Sequence, residues 1–331
     1  MSDSYFPTTH STLSSEALLS YVQERYDIGD IIQCKFLNQG LNDTYLLQTI
    51  EDRYILRVYR AGWRTLSDIL YELDMLLHLH RKDVPVSYPL TLRDGNIIST
   101  LNALEGTRQA ILFTYAPGTP EPRPRDEAYS AAYGQAVAEV HNALEDFSSP
   151  HARFHLDLDH LLDAPLQIVL PSLTERPDDQ TYLLRLTDTL KERLNDLPLS
   201  ALERGACHGD FHGGNAHITE DRQVTFFDFD CCGPGWRAYD IAVFRWSIEL
   251  SKGGETLWES YLEGYTRNRA IHELDMEAIP LFVAIRHIWL LGLHVHLGAD
   301  FGSGWLNKQY FDRNMSFLKK WVDEHIIDHK E

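Results

Sequence analysis

The chain has 331 residues, with 30 Lys+Arg against 49 Asp+Glu and a formal net charge of −19. Apolar residues at 44% and charged residues at 24% are those of a globular protein with a full core, and the length suits two domains or one large bilobed unit. Such an acidic excess argues against nucleic acid or an anionic membrane as the main partner, because both need a basic footprint. Acidity leaves open a cationic small substrate, or plain solubility.

The four cysteines, Cys34, Cys207, Cys231 and Cys232, are too few for a disulfide framework and form no C-x-x-C pair. The opening MSDSYFPTTH lacks the basic-then-apolar order of a secretory signal. The most apolar stretch, IPLFVAIRHIWLLGLHVHLG, is interrupted by Arg286, His287, His294 and His296. Ionisable groups at that density are costly in lipid, so a buried or cleft-lining helix is expected, in a soluble cytoplasmic protein.

In chain order, residues 12–26 read as a helix, with Leu13, Leu18, Leu19 and Val22 near the 3.6 period. From 31 to 60 the pattern becomes strands, turning at Glu51-Asp52. SDILYELDMLLHLH reads as an amphipathic helix with Ser67 as its N-cap. PLTLRDGNIIST and RQAILFTYA follow as strand-like runs, the first turning at Asp94-Gly95. A compact α+β unit thus ends near residue 115. APGTPEPRPRDE, dense in proline and charge, is the expected linker or hinge. Beyond it, helical spacing marks 127–146, 157–170, 180–196, 238–250, 255–269 and 276–297. A single hairpin, NAHITEDRQVTFFDFD, interrupts the helices around Glu220-Asp221.

Chemistry concentrates in Cys207-His208-Gly209-Asp210-Phe211-His212-Gly213-Gly214-Asn215 and, after the hairpin, Phe227-Asp228-Phe229-Asp230. The glycines let the loop bend tightly and bring Asp210 and Asn215 to one side, and a hairpin would return Asp228 beside them. Asp, Asn and Asp make a hard oxygen-donor set suited to Mg²⁺ with phosphates. The carboxylate left over can accept a proton from an attacking hydroxyl.

The order H-x-D-x-x-x-x-N, then D-F, resembles the catalytic and metal loops of the protein kinase fold. CHGDFHGGN…FFDFD…YDIA is similar to the aminoglycoside phosphotransferase/choline kinase family, which includes bacterial homoserine-kinase-type enzymes. The resemblance spans roughly residues 30–250. It implies an α+β, bilobed protein-kinase-like fold: a small mixed-sheet nucleotide-binding lobe over 1–115 and a larger, mainly helical lobe over 116–331. It further implies Asp210 as catalytic base, Asn215 and Asp228 as Mg²⁺ ligands, and Asp240, in Tyr239-Asp240-Ile241-Ala242, as the buried acid bracing the loop. His208 is expected to order that loop by hydrogen bonding.

In the first lobe, Asn38-Gln39-Gly40-Leu41-Asn42-Asp43-Thr44 resembles the phosphate-covering loop, here with one glycine, so Gly40 and Asn42 become nucleotide contacts. Arg57 stands where protein kinases carry the phosphate-pairing lysine; a guanidinium can hold phosphate bidentately. Its acidic partner is expected at Glu72, whose neighbours Ile69, Met75 and Leu76 set it within an apolar stripe, where an unpaired acid would be costly. Phe113, Thr114, Tyr115 and Ala116 resemble the segment that holds the adenine edge.

The implied activity is ATP- and Mg²⁺-dependent phosphorylation of a hydroxyl on a small metabolite: an amino alcohol, sugar or aminoglycoside. ATP is expected between the lobes. Asp230, Arg245, Arg286 and Trp289 are the candidate acceptor contacts. Alternatives are a protein Ser/Thr kinase of the same fold, a non-catalytic nucleotide-binding regulator, or a metal hydrolase using His208, His212 and His217. No G-x-x-x-x-G-K-[ST] occurs, which removes a P-loop enzyme.

Overall fold

Ser14 accepts the Ala17 N–H and opens helix α1 (Ser15–Arg25), the first element of a computed structural model that describes residues 6–327. The chain divides into two units. One runs to Gly118 and takes in 148–152 and 225–227; the other holds Thr119–Phe147, Arg153–Val224 and the chain from Asp228 onward.

In the first unit, β1 (Ile31–Gln39), β2 (Asn42–Thr49) and β3 (Arg53–Tyr59) form an antiparallel meander. The β2–β3 turn closes at the Glu51-Asp52 pair, where Thr49 N–H donates to Asp52 O at 2.9 Å. Helix α2 (Leu66–Arg81) follows, then β4 (Ser99–Ala103) and β5 (Gly106–Thr114), giving the order β1-β2-β3-β5-β4. Strand alternation sorts the faces. Leu56 and Val58 join Leu18, Val22, Tyr45, Leu47 and Leu112 in one apolar cluster. Arg57, between them, points to the other face and bonds Glu72 of α2.

Two local expectations change. Thr65, not Ser67, caps α2: Thr65 Oγ1 accepts the Asp68 N–H while Asp68 accepts the Thr65 N–H, a reciprocal box that needs this three-residue spacing. Ser67 instead donates its hydroxyl to Ala152 O at 2.8 Å. Residues 89–98 do not form the expected strand. Pro89 makes an isolated bridge to Phe113, and the segment closes into a turn on Gly95, whose φ of +89° suits glycine. Without an N–H, Pro89 gives no ladder bond of its own there.

The second unit begins inside the expected linker. Thr119–Pro120 is a short strand, β6, and Arg125 ties the segment down by donating to Glu121 Oε2 and Ser247 Oγ, each at 2.6 Å. Helix α3 (Glu127–Ala143) leads to a π turn at Asp159–Asp163, α4 (Ala164–Val169) and α5 (Pro177–Asp196). Next come β7 (Arg204–Cys207), β8 (Ala216–Ile218), β9 (Val224–Phe226), whose last two residues belong to the first unit, and β10 (Gly233–Trp236). β7 pairs antiparallel with β10, and β6 with β8. The chain ends in α6 (Arg237–Leu250), α7 (Glu255–Thr266), α8 (Glu273–Phe301) and α9 (Lys308–His325). β6, β7, β10 and α9 are additions to the elements expected.

Helices α3 and α7 meet at two glycines. A methyl on Gly134 would run into the Tyr261 carbonyl, and one on Gly264 into the Ala131 carbonyl. α8 is long and apolar enough to cross a membrane by length and composition, yet most of that stretch is buried inside the fold.

Candidate active site

The loop after β7 is shaped by one glycine and one buried acid. Gly209 takes φ +79°, and a Cβ there would strike the Cys231 carbonyl, so a side chain has no room. Asp240, from the first turn of α6, accepts the His208 N–H at 2.8 Å and the Gly209 N–H at 2.7 Å. Behind it, His141 Nε2 lies 3.2 Å from Asp240 Oδ2, and His141 Nδ1 lies 2.8 Å from the Tyr265 hydroxyl. Burial holds His141 well below its ordinary value and so neutral. Burial pushes Asp240 up to about 7, opposed by the two backbone N–H groups.

Asp210 has both carboxylate oxygens engaged. Oδ1 accepts from Arg286 Nη2 of α8, and Oδ2 accepts from Asn215 Nδ2 at 3.0 Å. The same Asn215 Nδ2 also reaches the Asp210 carbonyl at 3.0 Å. His212 Nδ1 accepts the Gly214 N–H, which leaves Nε2 as the protonated nitrogen, 3.5 Å from Asp210 Oδ2. Burial alone would raise Asp210, but Arg286 and His212 outweigh it and hold the carboxyl far below the usual carboxylate range. His208 Nδ1 accepts the Asp210 N–H at 3.2 Å, and its ring packs on Phe211 and Phe229.

Asp228 sits after β9 in the left-handed region, φ +63°, and heads the 3-10 turn Phe229–Cys231. Aspartate tolerates that conformation better than most residues. Asp230 is buried, and its carbonyl accepts from Arg153. The donor set suits a hard cation: with its amide nitrogen on Asp210, Asn215 has a carbonyl oxygen as its other polar atom, and Asp228 adds a carboxylate. Amide and carboxylate oxygens are the donor types that Mg²⁺ accepts while keeping waters and taking phosphate oxygens. Among the described residues no cluster of three or more His, Cys, Asp or Glu is arranged to hold a metal. His208 and His212 each use Nδ1 on a loop N–H. The zinc-type reading of the histidines finds no ligand cluster among the described residues.

In the first unit, Arg57 Nη1 donates to Glu72 Oε1 at 2.6 Å and the Tyr59 hydroxyl donates to Glu72 Oε2 at 2.8 Å. Glu72 is buried, and the Arg57 guanidinium lies 5.1 Å from the Phe113 ring centre. Gly40 N–H donates to the Asn42 carbonyl within the loop, and Asn42 Oδ1 accepts the Arg60 N–H at 3.3 Å, which ties the loop to the end of β3. Thr114 bonds Ser87 and Tyr88 through its N–H, carbonyl and hydroxyl. Tyr115 stacks under Arg53 at 4.0 Å, and Ala116 is buried.

Of the acceptor candidates, Arg286 is brought onto Asp210, with Trp289 packed 4.5 Å from its guanidinium. Arg245 is not: it donates to Glu255 Oε2 at 2.7 Å and lies between Trp258 and Trp321. His141, Tyr265 and Arg153 support the loops without any local motif to announce them. His212 stands in the motif itself, and its position two residues after Asp210 was the available signal.

A sheet-and-helix unit followed by a helical unit carrying these loops is the protein-kinase-like fold, and the comparisons agree. The chain belongs to the phosphotransferase enzyme family, whose pattern matches residues 33–277, and it is a phosphotransferase related to small-molecule kinases. An uncharacterized protein of Deinococcus radiodurans is 42% identical over 97% of this chain and 93% of its own. Homoserine kinase of Rhodospirillum rubrum is 29% identical over 82% of each chain. Among solved structures, an amicoumacin kinase in complex with AMP-PNP, Ca²⁺ and its ligand superposes with TM-score 0.77 at 22% identity, covering 94% of both chains. A microcompartment-associated aminopropanol kinase gives TM-score 0.74 at 25% identity, over 92% of this chain and 95% of that one.

Proposed function

We propose that the chain transfers the γ-phosphoryl group of ATP, with Mg²⁺, to a hydroxyl of a small amino-alcohol metabolite in the cytoplasm. The observation that carries this reading is the carboxylate of Asp210, held at Oδ1 by Arg286 and at Oδ2 by Asn215. A carboxylate so stabilised is a weak base. Its use is to orient the acceptor hydroxyl and to take the proton late, which suits a loose phosphoryl-transfer transition state needing little deprotonation beforehand. Asn215 and Asp228 would hold the metal, which when bound neutralises charge on the transferring group.

The N-terminal unit, residues 1–115 in the sequence reading, supplies nucleotide contacts: Gly40 and Asn42 over the phosphates, Arg57 braced by Glu72, Phe113 beneath, and the Tyr115–Ala116 backbone for the adenine edge. Thr114 contributes through its bonds to Ser87 and Tyr88, which hold that segment in place. Residues 116–331 carry the transfer chemistry. Two named relatives, a homoserine kinase and an aminopropanol kinase, favour an amino alcohol over a sugar or a protein serine.

A coupled ADP-release screen across amino alcohols, sugars and aminoglycosides tests the reading. Asp210→Asn is expected to abolish turnover while nucleotide binding persists. Near-wild-type ADP release from Asp210→Asn with the best acceptor would sink it.

A further inference from the structure

Beside Asp210 the fold gathers hydrogen-bond donors that it does not use. Arg286 is buried, 2% exposed, and one of its Nη groups holds Asp210. Its Nε and Nη1 make no hydrogen bond of good geometry, and neither does the hydroxyl of Tyr239, which stands beside the guanidinium within reach of it. Several buried arginines leave one nitrogen unpartnered; among the described residues Arg286 is the one that leaves two. The guanidinium lies over the rings of Trp246, at 5.1 Å, and Trp289, at 4.5 Å. Those aromatic faces are thereby used by a cation of the protein itself, which leaves them unsuited to a quaternary ammonium ligand. Buried donors without acceptors are rare in finished folds, and a charged pair of them asks for a complementary anion.

We infer that Arg286 and Tyr239 form an oxyanion receptor next to Asp210. The reading rests on Asp210 being the residue that meets the acceptor hydroxyl. An oxyanion within reach of that hydroxyl has two sources: a carboxylate on the acceptor, making the substrate a hydroxy amino acid, or the transferring phosphoryl group. Either would place oxygens on Nε, Nη1 and the Tyr239 hydroxyl while Nη2 stays on Asp210.

Matched acceptors separate the two. Homoserine and 3-amino-1-propanol differ only by the carboxylate, so the ratio of their kcat/KM values reads its recognition. In the wild type that ratio is expected at about tenfold or more, the scale of one charge-assisted contact. Arg286→Lys keeps a cation for Asp210 but loses the fork; it should bring the ratio toward unity through the KM of homoserine. Tyr239→Phe, a gentler change that keeps the ring, should shift the ratio the same way by a smaller factor. If kcat instead falls for both acceptors together at unchanged acceptor KM, the receptor serves the phosphoryl group. A ratio and a kcat both unmoved in Arg286→Lys and Tyr239→Phe would overturn the inference, the donors then serving only water. Homoserine and 3-amino-1-propanol can also be titrated calorimetrically into the AMP-PNP-loaded protein. That comparison remains readable if no acceptor yields ADP, the result that defeats the phosphotransfer reading instead.

Discussion

Asp210, on the loop after β7, and the fully buried Asp240, on α6, are carboxylates whose surroundings push them in opposite directions. Burial raises both, but Asp210 has a guanidinium and an imidazole against it, whereas Asp240 has chiefly two backbone N–H groups. For Asp210 the folded value lies below the unfolded one, near 3.9. Its contribution to stability is therefore fully present above about pH 4 and lost as pH falls below that. The expected outcome is a urea midpoint that drops between pH 5 and pH 3, and drops less in Asp210→Asn. Asp240→Ala removes the acceptor for the His208 and Gly209 N–H groups, which are buried with it. Stranding buried donors costs about 1–3 kcal/mol each. Chemical denaturation should show a loss of roughly 2–6 kcal/mol on that basis. A loss under about 0.5 kcal/mol, the range of an ordinary surface change, would mean that water replaces the carboxylate.

The same residues show what a sequence can disclose. Asp210, Asn215 and Asp228 lie within nineteen positions of one another and are legible because short loops must place them together. Asp240 is legible through its motif, and Glu72 through the cost of an acid in an apolar stripe. Arg286 is 76 positions from Asp210, and His141 is 99 from Asp240. Nothing in a helical period says which distant side chain meets which. Likewise Arg245 and Arg286 look alike along the chain, and only the packing sends one to Glu255 and the other to Asp210.

Among the elements, the strongly periodic helices match their expected spans, while short strands do not declare themselves. β7 and β10 are four residues each, and Gly233-Pro234-Gly235 carries no apolar alternation to mark a strand. α9 has the spacing, with Tyr310, Met315, Leu318, Trp321 and Val322 buried, but its mixed charge hides it. The cap of α2 sets a simple test: Thr65→Ala should cost about 1 kcal/mol, read as a lower melting temperature. At the α3–α7 contact, Gly264→Ala should cost roughly 1–3 kcal/mol by overpacking against the Ala131 carbonyl. α8 sets a pH dependence of its own. Burial brings His287 down to about 3 and His294 down to about 4, against 6.5 when unfolded. The unfolded chain takes these protons first, so this stability is intact above about pH 6.5 and is lost as pH falls toward the folded values. The melting temperature should decline from pH 7 to pH 5, and His287→Gln should flatten that decline.

On the scale of the whole molecule, −19 charges repel one another wherever they sit. Self-repulsion favours expansion, and salt screens it over about 10 Å at 0.1 M. Raising NaCl from 10 to 150 mM should therefore raise the melting temperature. A fall would mean that ion pairs such as Arg176–Asp312 and Lys319–Asp179 outweigh the repulsion. Several buried cations of this acidic chain lie beside carboxylates, among them Arg57 with Glu72, Arg286 with Asp210 and Arg108 with Asp43.

Arg108 is such a cation, wholly buried in the first unit. It donates to the carbonyls of Tyr59, Val58 and Ser11 and to Asp43 Oδ2, all within 3.0 Å. Asp43 also meets His10, and Ser11 bonds Glu105 through both its N–H and its hydroxyl. The stretch ahead of α1 is thus a clasp closed over the strand that begins at the Gly40 turn. Trimming the chain to Ser14, as one might to tidy an expression product, would strip Arg108 of one acceptor and Asp43 of one neighbour. The disturbance would travel along β2 to the very residues expected to cover the phosphates, so a shortened protein would misreport nucleotide affinity while keeping its catalytic loop whole.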